Sequence, residues 1–443
     1  MKAKAGAPPQ QIGLTLAVAI GLASMLGAGV FAVFHEGAVL TDGVLGRWGL
    51  LIAIALAGLV ATLNAASVYQ LARSVSRAGG VYAYSRVYVN NTTSFVAGFS
   101  FIFGKIGSIA AIGLVFGIYV WPAQPVLAAC LAIAALTVIN LLGINRTAQV
   151  AMALSITTVT FLIVTIVWGF IHGISGTELS SSAPSATAVA TAQTVDVAQI
   201  GLPILSAAAV IFFAFAGYAR VATLGDEVRN ARRNIPRAIA IALIAVVALY
   251  FALAFMFQQT LGDNLVSSKA PFLTFWTLST SNLGWSKALL ETIVMVVAAA
   301  ASLGSILALL AGVSRTAATM AEDRELFGWF SLRNRRGAPW LAEVVIAAGS
   351  MLFVQFGRLD WAIGFSSLSV LLYYAIGHIA ALKQLQREAP DSALARFGRS
   401  ATAWLGVFLC ALLLVAVPGP AVWLSTLIIA AALFVRRLLR PRA

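Results

Sequence analysis

The chain has 443 residues, 60% apolar and only 10% charged, with a mean hydropathy of +0.94 and a formal net charge of +14. Soluble domains carry about 25% charged residues, so a water-soluble enzyme of this length is excluded for want of polar surface. The apolar runs are continuous rather than alternating, which argues against a transmembrane β-barrel. At roughly 20 residues per spanning helix, the composition describes an all-α polytopic membrane protein of about twelve spans.

A short tail, residues 1–11, carries Lys2, Lys4 and the Pro8-Pro9 pair, and the apolar stretch behind it is too long and too glycine-broken for a cleaved signal peptide. Apolar segments then follow at 12–37, 46–71, 94–120, 123–143, 147–172, 199–226, 236–260, 288–318, 340–357, 360–382, 401–417 and 420–436. Proline and glycine divide the pairs at Trp121-Pro122 and Pro418-Gly419-Pro420. The expected layout is a first block of five spans (12–172), a Ser/Thr/Ala-rich loop without Lys or Arg (173–198), a second block of five (199–382), two further spans within 401–436 and a basic tail (437–443).

Numbered alternately from a cytoplasmic N-terminus, the outer connections hold only Arg47, Lys269, Lys287 and Arg358, and the spans hold Lys105 and Arg220. The remaining Lys and Arg fall on the inner side. This asymmetry predicts a multi-pass protein of the cytoplasmic membrane with both termini inside. It also accounts for the basic charge without a nucleic-acid partner; the partner implied is the lipid bilayer. Cys130 and Cys410 both fall within apolar runs and read as buried packing residues rather than a disulfide.

Two spans carry interruptions at matching depth. Gly27-Ala28-Gly29 lies about fifteen residues into the first span, and Phe213-Ala214-Phe215-Ala216-Gly217 about fifteen residues into the sixth. Broken helices five spans apart suggest a five-plus-five inverted repeat. Unwound backbone at mid-membrane depth has to line a cavity and meet a polar ligand. A half-helix N-terminus suits a carboxylate and a half-helix C-terminus suits an ammonium; a zwitterionic amino acid needs both. Glycine also serves close helix packing, which is the simpler reading of Gly113 and Gly117.

These features, together with FFAFAGYARVATLGDEVRNARRNIPRAI (212–239), SVYQLARSVSRAGGVYAYSRVYV (67–89), NLLGINRTAQV (140–150), SRTAATMAEDREL (314–326) and SLSVLLYYAIGHIAALK (367–383), resemble the amino acid–polyamine–organocation (APC) transporter superfamily, in order and over nearly the whole chain. The resemblance implies a LeuT-type fold of twelve helices, ten of them in the inverted repeat, and alternating access for amino acids or related amines. It implies that the Gly27, Ala28 and Gly29 amides hold a carboxylate. Carbonyls near Ala23 and Ser24, and at Phe213, Ala214 and Ala216, would hold the amino group, with Phe215 as an aromatic wall or a packing residue. Two positions depart from the family pattern. Thr158 stands where many relatives carry a lysine, and Ala219, followed by Arg220, stands two positions after Gly217 where an acidic residue is common.

Among ionisable groups, Lys105 lies near the middle of the third span, and a charge there needs a cavity or a partner. It reads either as a proton carrier or as a lysine bonded to carbonyls at a helix break. Arg220 stays protonated and suits gating or an ion pair. Glu36, about two turns beyond the first break, reads as an outer gate or proton port, second to Lys105 as a proton carrier, or as an interfacial residue. No carboxylate lies at mid-membrane depth, which favours a neutral amino acid over a polyamine or arginine. A sodium site at this fold's usual place would draw on Ser302 and Ser305.

The expected function is therefore a secondary active permease, proton-coupled or exchanging one amino acid for another. The alternatives are an exporter or exchanger of another small amine, or sodium-coupled uptake. No catalytic motif and no cofactor are implied: His35, His172 and His378 are scattered, and no Walker motif occurs. The sequence leaves a homodimer open.

Overall fold

The computed structural model describes residues 12–75, 79–141, 147–172, 197–218, 228–335, 337–388, 390, 392–419 and 421–439. Among these the chain is helical, and its only β-type pairing is an isolated bridge between Ile12 and Val228. Long apolar helices satisfy every backbone group internally, which is why a chain of this composition takes this form in lipid.

In chain order the helices are α1 (Leu14–Met25), α2 (Gly29–Thr41), α3 (Trp48–Ser74), α4 (Val81–Tyr88), α5 (Asn91–Val120), α6 (Pro125–Leu141), α7 (Thr147–His172) and α8 (Val197–Phe215). They continue as α9 (Ala231–Thr260), α10 (Asn264–Ser267), α11 (Pro271–Ser279), α12 (Lys287–Glu322), α13 (Trp340–Val354), α14 (Leu359–Arg387), α15 (Ala393–Ala416) and α16 (Ala421–Leu439). By length and composition α3, α5, α9, α12, α14 and α15 are each sufficient to cross a membrane. The first expected span is two helices, α1 and α2, as its Gly-Ala-Gly sequence predicts.

Apolar side chains face outward as well as inward. Trp423 is 79% exposed and Val415 82%, and Trp404, Phe408 and Phe434 are exposed too. In water such a surface is an aggregation liability; in hydrocarbon it is the matching one. Burial from lipid gains little transfer energy, so close approach and hydrogen bonding hold the helices together. Glycine supplies the approach where α5 meets α14: a Cβ at Gly104 would stand 2.8 Å from Ser369 Cβ, and one at Gly107 2.9 Å from the Phe365 ring. The Ser108 and Ser366 hydroxyls bond across the same interface at 2.6 Å. Gly113 and Gly117 are packing glycines against α6, at Ala129 and Pro125.

A polar seam joins α3 to the parallel α14. Asn64 Oδ1 accepts from His378 Nε2 at 2.7 Å, and His378 Nδ1 is 2.7 Å from the Ser67 hydroxyl, which donates to it. Cys410 of α15 reaches the same Asn64 oxygen at 3.3 Å. Gly406 leaves room for the imidazole, since a Cβ there would lie 2.1 Å from it. Further along, Gln70 donates to the Ala381 carbonyl and to Gln384, Gln384 donates to Ser74, and Ser74 and Tyr88 both donate to Glu388. Cys410 is buried as expected, but Cys130 is only half-buried, beside the exposed Gln355 that donates to its sulfur. Position 130 lies on the flank of α6 rather than in the core.

Two short helices, α10 and α11, lie in a stretch read from the sequence as an outer connection. Phe272 of α11 is buried against Phe31 and Phe257, with ring centroids 4.7 and 4.9 Å away. At the opposite end of the molecule the Arg229 N–H donates to the Ile12 carbonyl at 2.9 Å, pinning the entry of α1 to that of α9.

Candidate functional site

The interruption between α1 and α2 occupies Leu26, Gly27 and Ala28. Leu26 N–H closes α1 on the Leu22 carbonyl at 2.7 Å, and Val30 and Phe31 open α2 by donating to Gly27 and Ala28 at 3.3 and 3.1 Å. The amides of Gly27, Ala28 and Gly29 thus precede the α2 ladder, where a helix offers them no acceptor of its own. Ala23 and Ser24 lie in the last turn of α1.

The second interruption begins later than the sequence suggests. Phe213, Ala214 and Phe215 are still α-helical, and the chain then tightens into a 3-10 turn at Ala216–Tyr218. Phenylalanine and alanine hold the helix to its end; Gly217 lies within the tighter turn. Arg220 and Ala219 lie outside the described residues, as do Asp226 and Glu227.

The two interruptions lie side by side. A Cβ on Gly29 would stand 3.3 Å from both Ala214 Cα and the Phe213 ring, so the α2 N-terminus lies directly against the end of α8. Tyr250 of α9 ties them: its hydroxyl is 2.8 Å from the Met25 carbonyl and 3.3 Å from the Ala214 carbonyl. Those are the C-terminal carbonyls that each helix leaves unpaired. The sequence reading missed Tyr250; its signal was a lone hydroxyl in the apolar run 238–257, which needs a partner when buried. Phe215 is fully buried and meets the Tyr250 ring edge-on at 5.0 Å, a packing position, whereas Phe213 faces Gly29.

Lys105 is buried, and its ammonium donates to the Ala216 carbonyl at 3.4 Å, 5.9 Å from the Phe101 ring centre. It therefore stands at the second break, on one of the carbonyls expected to take a substrate amine. Glu36 lies half-buried in α2, away from Lys105, among the charges of Lys269, Arg358 and Asp360. Thr158 is buried and its hydroxyl bonds to Leu154 of its own helix at 3.0 Å. Leu154 packs on Gly304, which places that turn of α7 against the stretch of α12 bearing Ser302 and Ser305. The Ser305 hydroxyl is taken by the Ala301 carbonyl, while the buried Ser302 hydroxyl has no partner among the described residues.

Above the first break an aromatic cluster gathers Phe31 and Phe34 of α2, Phe161 of α7, Phe257 of α9 and Phe272 of α11. Tyr119 of α5 joins it edge-on to Phe31. The α11 contribution was legible only as an apolar run, PFLTFWTLS, opened by a proline at the first helical position.

Apolar helices with an outward apolar surface and two interrupted helices meeting inside define a polytopic membrane transporter. The chain belongs to the amino acid permease family, whose model, described as "Amino acid permease", matches residues 12–434. It is similar to an uncharacterized transporter of Mycobacterium tuberculosis, 38% identical over 374 residues, covering 84% of this chain and 80% of that one. It is also similar to the chloroplastic cationic amino acid transporter 6 of Arabidopsis thaliana, at 25% identity over 81% of this chain and 62% of the relative. The low-affinity putrescine importer PlaP of Escherichia coli is 27% identical over 54% of this chain and 52% of its own length.

Proposed function

We propose that the chain is a secondary permease that moves an amino acid with a neutral side chain across the cytoplasmic membrane by alternating access. Its layout would be a LeuT-type fold of twelve spans, with α1/α2 and α8 as the broken first and sixth spans and both termini cytoplasmic. The observation that carries this reading is the tie made by Tyr250, which holds the ends of both interrupted helices together at Met25 and Ala214. The amides of Gly27, Ala28 and Gly29 would take the carboxylate at a positive helix end. The carbonyls of the last turn of α1, Ala23 and Ser24 among them, and that of Phe213 would take the amino group, since Ala214 and Ala216 already accept from Tyr250 and Lys105.

The ammonium of Lys105 supports a neutral substrate. A second fixed cation beside it would be repelled in a low-dielectric interior. The Arabidopsis relative, a cationic amino acid transporter, and the Escherichia coli relative, a putrescine importer, favour a second reading, a cationic amino acid or a polyamine. Lys105 is the proposed proton carrier. The buried Ser302 hydroxyl, without a partner among the described residues, supports the rival assignment of an oxygen ligand for sodium.

Uptake of labelled neutral, cationic and diamine substrates into proteoliposomes tests the reading. Expected is accumulation of a neutral amino acid driven by an inward pH gradient. Lys105→Met should lose that accumulation and keep exchange. Sodium-dependent, pH-independent uptake, or accumulation of putrescine alone, overturns it.

A further inference from the structure

Away from the breaks, one surface groove combines apolar walls with a basic mouth. It runs between α3 and α9, with Phe170 of α7 closing one side, and has a volume of about 1010 Å³. Its walls include Ala66, Leu243, Val247 and Phe251. Ile244 is 71% exposed, Phe251 40% and Phe170 39%, so the groove opens on the outward apolar surface, where the neighbouring medium is lipid. The hydroxyl of Thr62, within it, is already bonded to the Gly58 carbonyl at 2.7 Å and asks nothing of an occupant.

Arg237 stands at one end and Phe255 at the other, eighteen residues along α9. At about 1.5 Å per residue that is roughly 27 Å, longer than the ~15 Å that one leaflet contributes to a hydrocarbon core of about 30 Å. Tyr69 lines the groove, and the guanidinium of Arg73 lies 5.7 Å from its ring and donates to its hydroxyl. Arg233 is exposed one turn before Arg237. Among the described residues no carboxylate lies within ion-pair distance of Arg73, Arg233 or Arg237. An apolar channel long enough for an acyl chain, ending at arginines with no carboxylate partner among the described residues, fits an amphiphile with an anionic head.

We propose that the α3–α9 groove binds an anionic phospholipid, one acyl chain lying between the helices and the phosphate meeting Arg237 and Arg73. This rests on the membrane orientation proposed above, which puts the Arg237 end in the cytoplasmic leaflet, and on nothing about the transported substrate. An acyl chain there touches the outer side of α9 at Val247. Val247 meets α3 at Gly58, three residues before Tyr250, so the lipid would help set the spacing of the helix that ties the two breaks.

Purified full-length protein in mild detergent, titrated with phosphatidylglycerol and with phosphatidylcholine of identical chains, tests this by native mass spectrometry. Each arginine near the phosphate is expected to contribute about fivefold in retention. Phosphatidylglycerol should outlast phosphatidylcholine, whose choline offsets the phosphate charge, and Arg237→Gln should lower phosphatidylglycerol retention about fivefold and phosphatidylcholine retention by less. Ala66→Trp, an exposed position that fills the groove, should lower retention of both lipids. Wild-type phosphatidylglycerol retention in an Arg73→Gln/Arg237→Gln protein, equal retention of the two lipids by the wild type, or unchanged retention in Ala66→Trp overturns the site. The readout requires no transport, so its failure leaves the transport reading standing.

Discussion

Tyr250 is one hydroxyl serving two carbonyls, at Met25 and Ala214, in a fully buried position. Tyr250→Phe keeps the ring, its edge-on contacts with Phe34 and Phe215, and the volume. It removes only the donor. Leaving buried acceptors unsatisfied costs about 1–3 kcal/mol, so Tyr250→Phe should melt at lower temperature in detergent and bind substrate more weakly. A variant with wild-type melting and affinity would show that the two ends are held by packing alone. Gly29 works by what it lacks: any side chain presses on the Ala214 backbone 3.3 Å away, so its role in substrate capture and its role in packing are inseparable by enlargement. Lys105 was legible from sequence as a costly mid-membrane charge, but its partner, the Ala216 carbonyl 111 positions away, was not.

At the scale of elements, the α3–α14 seam is a ladder of polar side chains. On α3 these are Asn64, Ser67, Gln70 and Ser74, facing His378 and Gln384 at the matching register of α14 and Glu388 just past its end. Helical spacing alone puts each set on one face, yet in an apolar sequence each residue reads singly as a tolerated polar. Only their mutual satisfaction makes them an interface. The ladder ends at Glu388, where hydrogen bonds from Tyr88 and then Gln384 hold the carboxyl below its ordinary range. A lowered folded value means these bonds stabilise the fold above the unfolded carboxylate's pKa of about 4.3, and the contribution is lost as pH falls through the lower folded one. Glu388→Gln should therefore lower the melting temperature at pH 7 and flatten its decline on acidification from about pH 5. Parallel decline in variant and wild type would remove Glu388 from the seam's energetics.

For the whole molecule, an ion cluster joins the last helix to the rest. Glu325, its side chain fully buried, accepts from Arg436 Nε at 2.8 Å and lies 3.5 Å from Arg86. Arg86 also faces Asp323 at 3.5 Å, and Tyr82 donates to Asp323 at 2.8 Å. Segments of α4, the end of α12 and α16 are thereby held together. Removing one partner of a buried pair costs up to about 3–5 kcal/mol because the other charge stays behind. Glu325→Gln should lower thermal stability by an amount of that order and expose the Arg436-Arg437 bond to trypsin. Resistance equal to wild type would place the anchoring of α16 elsewhere, at Arg436 with Thr92 and Asn91.

Composition alone determined the medium: with 60% apolar and 10% charged residues the chain can only bury its surface in lipid, and lipid admits helices that satisfy their own backbone. Hydropathy placed the apolar segments, and Gly27-Ala28-Gly29 marked the first break, because those signals are local in the chain. The tertiary structure decided what is not local. It put the start of α2 against the end of α8, gave Tyr250 to both interruptions, moved the second break to Ala216, folded α10 and α11 over α2, and joined residues more than 300 positions apart in the α3–α14 seam. Such contacts depend on which helix faces which, and helices equally apolar on all sides carry almost no periodic signal of that choice.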